Sequence, residues 1–172
     1  MPRVLTVVGC KNAGKTRSIE LLVPVLQSQK LAVGTLKHTE HDGFNWDVKG
    51  KDTYRHFEAG SDITGIFGTN TYAFNVNTDN VGRIQLGRLI GLFYRDMDLV
   101  LLEGLKTAPG LKIEICREGF TDRKLAAAED ILATYGDNIH KYEQPHYGFG
   151  QEVQLGEHIV ANLNRMWEAP AE

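Results

Sequence analysis

Cysteine is scarce in this chain: Cys10 and Cys116 are the only two among 172 residues. They form no CxxC pair and no Cys/His spacing of the kind zinc requires, and two isolated thiols make no disulfide framework. A reducing compartment, the cytoplasm, is therefore the expected location. Equally missing is any basic tail or Lys/Arg cluster, since 19 basic against 22 acidic residues leave a net charge of −3. Without that electrostatic footprint, nucleic acid is not an expected partner. No apolar stretch approaches the ~20 residues of a membrane-spanning helix, so no membrane span is expected either. The short apolar run near the start leads into a glycine-rich turn instead of a small-residue cleavage site, which argues against a signal peptide. Repeats, low-complexity runs and linkers are also lacking.

What remains is an ordinary globular composition, 42% hydrophobic and 24% charged, of a length that fits a single domain spanning residues 1–172. Val4–Val8 is a continuous, β-branched apolar run and reads as a strand buried on both faces. From Thr16, apolar residues at helical spacing predict a helix to about Gln29–Lys30, with Pro24 as a kink or an early break. Leu31–Leu36 reads as a second strand and Thr39–Lys51 as a long loop. Asp52–Ala59 follows as a short helix closed by Gly60. Ile63–Phe67 and Tyr72–Val76 are short strands around a turn, and Val81–Tyr94 has helical spacing. Leu99–Leu102 reads as a strand, and Leu111–Cys116 alternates like an edge or half-buried one. A late strand at Ile131–Tyr135, an irregular stretch over Asn138–Gly150 and a helix at Val153–Trp167 complete the pattern. Such alternation predicts a three-layer α/β domain, a mostly parallel sheet flanked by helices.

The strongest motif is Gly9-Cys10-Lys11-Asn12-Ala13-Gly14-Lys15-Thr16, a full match to GxxxxGK[ST] set between a predicted strand and a predicted helix. Gly9 and Gly14 allow backbone conformations that turn successive N–H groups, those of Asn12 and Ala13 included, toward a phosphate. The helix adds its unpaired N–H groups and positive dipole end to the same anion, and Arg17 lies in its first turn. Lys15 supplies a point charge for the β- and γ-phosphates and is the leading catalytic candidate. The Thr16 hydroxyl is placed to ligate Mg²⁺, and Lys11 offers further charge at the loop tip. Without a ligand, the same pattern would be a plain glycine-rich turn.

A second metal-side group is expected at the carboxyl end of a neighbouring strand, because ligands in open α/β sheets bind outside those ends. Asp98-Leu-Val-Leu-Leu-Glu103-Gly104 fits, with Glu103 as the candidate. Lys37-His38-Thr39-Glu40-His41-Asp42 lies on the same rim, with His38 and His41 read as loop residues near the nucleotide. Asp42 and Asp47 are candidate Mg²⁺ partners or catalytic, water-orienting groups, against the alternative of loop carboxylates capping backbone N–H groups. Asp137, ending the late strand in TYGD, could accept both donors of a guanine edge and so favour GTP. No NKxD motif supports it, and a turn aspartate is the alternative.

Taken in order, GCKNAGKT, LKHTEHDG, DVKGKDTYRHFEAGSD, LVLLEGLK and LKIEICRE resemble the MobB family of GTP-binding adapters in molybdopterin guanine dinucleotide biosynthesis. The similarity runs through about three-quarters of the chain, and the GKD-x-YRH-x-EAG and LLEG-x-K segments make it specific. The resemblance implies a P-loop NTPase fold, GTP and Mg²⁺ as ligands, weak GTP hydrolysis and a homodimer. It implies as partner the guanylyltransferase that attaches GMP to molybdopterin, with molybdopterin itself a further candidate. On matching positions, Gly14, Lys15 and Thr16 would hold phosphate and metal, and Glu103 would be the acidic strand-end residue. Lys51, Asp52, Arg55 and His56 would belong to a second signature facing nucleotide or cofactor. Arg17 replaces a second threonine common in the family, and Glu40 replaces a histidine.

No arginine finger in cis and no glutamine beside a DxxG turn is evident, so any GTPase activity should be slow. Arg55 could supply the missing charge. A small-molecule kinase using ATP is the alternative. It would need an acceptor base, for which Asp42 or Asp47 are available, and a lid, for which Arg117–Lys124 is the only stretch on offer.

Overall fold

β1 (Arg3–Gly9) is buried along almost its whole length, which its apolar, β-branched sequence dictates. In the computed structural model, which describes residues 1–39, 47–77, 85–120, 124–138 and 143–170, it forms the centre of a mostly parallel sheet. The remaining strands of that sheet are β2 (Val33–Lys37), β5 (Leu99–Glu103), β6 (Lys112–Cys116), β7 (Ile131–Gly136) and β8 (His146–Tyr147). Their order is β2-β5-β1-β6-β7-β8, all parallel. A short seventh strand, β9 (Trp167–Glu168), runs antiparallel to the start of β1. The α/β class with a mostly parallel sheet is thus as expected.

Four α-helices are described: α1 (Lys15–Ser28), α2 (Asp52–Glu58), α3 (Leu86–Phe93) and α4 (Glu152–Ala161). The chain divides into two compact units, residues 1–39 with 87–172 and residues 40–86. In the larger unit, α1 and α4 pack together over one face of the sheet. Leu22, Leu26, Leu155 and Ile159 meet Leu5, Val7, Leu101, Ile113, Ile115 and Tyr135 there in one core. Alternate residues Val4, Val8, Val100 and Leu102 point the other way and are equally buried, so both faces are covered.

Three expectations change on contact with the structure. Pro24 neither breaks nor ends α1, which continues to Ser28. The ring lies on the exposed side, where water can satisfy the carbonyl that loses its helical partner. β6 is no edge strand: it lies between β1 and β7 with every residue buried. Its charged residues find partners inside the protein. Lys112 Nζ donates to Gly110 O at 3.0 Å and to Asp130 Oδ2 at 3.1 Å, and Glu114 Oε2 accepts the Leu125 N–H at 3.1 Å. The predicted Val153–Trp167 helix stops at Ala161. Asn162 donates from its side chain to His158 O at 2.8 Å and caps it. A 3-10 turn and β9 then return the chain to β1, where Glu168 pairs with Arg3 at 3.0 Å.

In the smaller unit, β3 (Ile63–Phe67) and β4 (Tyr72–Val76) form an antiparallel hairpin as expected. α2 packs against β3 and ends at Glu58, with Ala59 as its C-cap and Gly60 beyond at φ 94. Of the predicted Val81–Tyr94 helix, residues 81–84 lie outside the described residues, as do Glu40, His41 and Asp42 and part of the Arg117–Lys124 stretch. Among the described residues, no helix is long and apolar enough to cross a membrane.

Candidate functional site

At the carboxyl end of β1 the chain enters the glycine-rich loop, and α1 begins at Lys15. Gly14 takes φ 99, a left-handed conformation that a side chain would strain, and Asn12 also turns left-handed at φ 64. A Cβ on Gly9 would press within 3.2 Å of both Ile115 Cβ and Lys15 Cγ. The sequence demands glycine at both positions for different reasons: conformation at Gly14, space at Gly9. α1 has no side-chain cap and no acidic residue in its first turn. Its leading N–H groups and dipole therefore present an uncompensated positive end, which suits an anion.

Lys15 curls back over the loop, donating from Nζ to Cys10 O at 2.8 Å and Gly9 O at 3.0 Å. Burial pushes its pKa down, and the nearby Glu103 carboxylate opposes that shift. Glu103 arrives from β5, in register with Val7 of β1 and Lys37 of β2. It is buried, at 9% exposure. The Thr16 hydroxyl lies 3.1 Å from each of its carboxylate oxygens, and Lys37 Nζ sits 3.2 Å from Oε1. Three neighbouring strand ends thus deliver a hydroxyl, a carboxylate and a lysine to one point, with a second lysine close by. Alongside lies a cleft of about 450 Å³, lined by Thr16, Ile19, Val23, Leu36, Lys37 and Glu103.

Hard oxygen donors such as Thr16 Oγ1 and the Glu103 carboxylate are what Mg²⁺ takes, and Mg²⁺ needs few protein ligands when phosphates and water complete its shell. The pair therefore fits a Mg²⁺ held jointly with a nucleotide. Among the described residues, no group of three or more His, Cys, Asp or Glu could form an all-protein metal cage.

The other candidates fall in different places. Lys11 and Asn12 are exposed on the loop, and Ala13 is buried beneath it. Arg17 is exposed on the first turn of α1, its guanidinium 3.1 Å from Glu20. His38 joins the site through its backbone, donating its N–H to Glu103 O at 2.9 Å, while its residue is exposed. Asp137 is exposed just past β7, where its Oδ1 accepts the Glu118 N–H at 2.8 Å. Asp47, Asp52 and Arg55 belong to the smaller unit. There Asp47 Oδ1 accepts the Val48 N–H at 2.7 Å, and Asp52 and Arg55 are exposed on α2.

Two features escape the sequence reading. The Lys37 side chain reaches Glu103, 3.2 Å from its Oε1. Strand parity was the available signal, since Lys37 sits beside Glu103 in the parallel register. The second is a ring of groups past β7 and β8: Tyr135 donates its hydroxyl proton to Glu152, and Phe149 packs edge-on to Tyr135 with ring centroids 5.2 Å apart. Burial foremost, and then the Glu152 bond, drive the Tyr135 pKa far above its ordinary value. That bond, in turn, lowers the pKa of Glu152.

Comparison with known proteins places this geometry in a family. The family model described as "Molybdopterin guanine dinucleotide synthesis protein B", MobB, matches residues 4–137. The chain is 33% identical over 142 residues to a Bacillus subtilis protein named "Probable molybdopterin-guanine dinucleotide biosynthesis adapter protein", covering 81% of this chain and 80% of that one. It is also 33% identical over 131 residues to the Haemophilus influenzae molybdopterin-guanine dinucleotide biosynthesis adapter protein, covering 76% and 72%. Among solved structures, Bacillus subtilis MobB superposes with a TM-score of 0.70 at 26% identity, over 94% of this chain and 98% of that one.

Proposed function

The chain belongs to the MobB family of molybdopterin guanine dinucleotide biosynthesis adapter proteins, and from that premise we propose that it binds GTP with Mg²⁺ at the Gly9–Thr16 loop. The observation that carries the reading is the convergence of Lys15, Thr16, Glu103 and Lys37 on the carboxyl rim of β1, β5 and β2. The loop backbone and the start of α1 take the phosphates. Lys15 exchanges its bonds to Gly9 O and Cys10 O for phosphate oxygens, and the negative charge offsets the burial that now disfavours its ammonium form. Thr16 and Glu103 would hold the Mg²⁺, which would supply positive charge to offset that of the phosphates. Lys37 is the counter-charge of Glu103 in this arrangement, its Nζ 3.2 Å from Oε1.

Hydrolysis is slow in this reading. Among the described residues no arginine of the larger unit is placed against the phosphates: Arg17, in the first turn of α1, is engaged by Glu20. Such a site suits a nucleotide-loaded adapter better than a fast enzyme. The partners are a second copy of the chain and the guanylyltransferase that attaches GMP to molybdopterin, in the cytoplasm. The hairpin β3–β4 supports self-association, because Ile63, Phe67, Tyr72, Phe74 and Val76 share one face and all are exposed.

Titration of the purified protein with fluorescent GTP and ATP analogues, with Mg²⁺ and with EDTA, tests the reading. Mg²⁺-dependent, GTP-preferring binding that Lys15→Ala abolishes is the expected result. Binding of ATP in preference to GTP would overturn it in favour of the kinase.

A further inference from the structure

Phe149 poses a question that the phosphate site leaves unanswered. It is 48% exposed, yet the turn that carries it is pinned from several sides. Gly148 donates its N–H to Gln151 Oε1 at 2.7 Å, and the Gln151 N–H returns a bond to Gly148 O at 3.1 Å. The Gly150 N–H donates to Glu152 Oε1 at 3.0 Å, and the buried hydroxyl of Tyr135 donates to the same carboxylate. One edge of the Phe149 ring contact is taken by Tyr135, nearly perpendicular at 83°. A large aromatic ring is thus held from its backbone and by one edge contact, with its other side open to meet a planar group.

Its position follows from the sheet register. Gly9 pairs with Ile115, Ile115 with Tyr135, and Tyr135 with Tyr147, so a single line crosses from the first loop glycine to the end of β8. At ~4.8 Å between strands, Tyr135 stands about 10 Å from Gly9 along the rim. A nucleotide spans a distance of that order between its phosphates and its base. Arg17, the residue after Thr16, lies close enough to act electrostatically on Tyr135 and Glu152. The turn therefore borders the N-terminal end of α1, on the opposite side of the loop from Glu103 and Lys37, since β6 and β7 flank β1 on one side and β5 and β2 on the other.

We propose that Phe149, held by the Gly148–Glu152 turn, is the platform on which the base of the bound nucleotide stacks. This rests on the reading that the Gly9–Thr16 loop binds the phosphates. Stacking uses the ring face that every base offers, so it gives affinity without choosing between guanine and adenine. Selectivity for guanine must come from groups at the base edge, and Asp137 on the same rim is the one to test.

The experiment compares GTP, ATP and inorganic tripolyphosphate, all with Mg²⁺, on wild-type protein, Phe149→Ala and Phe149→Trp. The proposal expects Phe149→Ala to weaken GTP and ATP together by about tenfold or more, with tripolyphosphate affinity unchanged. Phe149→Trp should keep GTP affinity within a few-fold and add a tryptophan signal that GTP quenches and tripolyphosphate does not. Because Phe149 is half exposed, both variants should fold, which the melting temperature checks. If tripolyphosphate binds wild type and GTP affinity is untouched by Phe149→Ala, the platform is overturned while the phosphate site stands. Equal weakening of all three ligands also overturns it. If wild type binds neither GTP nor tripolyphosphate, both this proposal and the reading beneath it fail together.

Discussion

Two regions of this molecule use apolar and polar residues in opposite ways. On the rim of the large sheet, a few polar groups are drawn inward: Glu103 is buried, and Thr16 and Lys37 meet it within 3.2 Å. In the hairpin, large apolar groups are turned outward, with Phe67 at 86% and Tyr72 at 72% exposure. The first arrangement is held by a core in which Leu5, Val7, Leu101 and Ile115 sit on strands that fix the spacing of the site. The hairpin has almost no buried apolar residue of its own to pack against, Thr64 being its one buried member. A buried polar cluster costs desolvation that a ligand can offset, whereas an exposed apolar face gains by meeting another surface. The contrast teaches that the polar cluster and the open apolar face lie in separate units of one chain, and under the proposed function the first would carry the chemistry and the second the association.

The most severe way to break that division is at Lys15. Lys15→Ala should weaken Mg²⁺·GTP binding by about a hundredfold or more and leave the association state unchanged, as calorimetry and sedimentation would show together. A loss of self-association in that variant would blur the division. Next in size is the reverse experiment. Phe67→Asp with Phe74→Asp should raise the dissociation constant of the dimer by about tenfold or more, because each places a charge on the apolar face. GTP affinity measured at fixed protein concentration should stay within about twofold if the two regions are separate.

The smallest effect probes the large unit alone. Tyr135→Phe removes the hydroxyl that Glu152 accepts and should cost about 1–3 kcal/mol in chemical denaturation at neutral pH. The Glu152 pKa is lowered in the folded state, so its contribution is present above the ordinary carboxylate value and is lost as pH falls through the folded one. The difference between wild type and Tyr135→Phe should therefore shrink in acid. A difference that grows in acid would contradict the assignment.

How much of this was legible in the residues follows the same divide. The loop, the strand before it and the position of Glu103 at a strand end are legible in the residues, because glycines at that spacing between a strand run and a helical run force the turn. The hairpin strands were also read to the residue, since a turn between two β-branched and aromatic runs is a local signal. What failed depended on distant partners. β6 alternates charged and apolar residues like an edge strand, and partners such as Asp130 and Leu125, outside the strand, reveal how its charges are buried. The end of α4 depends on the Asn162 cap and on β1 capturing Trp167–Glu168, which helical periodicity does not report. Lys37 was passed over for His38 because side-chain direction on β2 is set by its pairing with β5.

The most direct test of the central claim is calorimetric titration of GTP into wild type and Glu103→Gln, each with Mg²⁺ and with EDTA. Glu103→Gln keeps the shape and a group able to bond Thr16 but removes the negative charge that would hold the metal. The account predicts that wild type loses most of its GTP affinity in EDTA, whereas Glu103→Gln binds weakly and about equally in both conditions. Full Mg²⁺ dependence retained in Glu103→Gln would contradict it and move the metal site elsewhere.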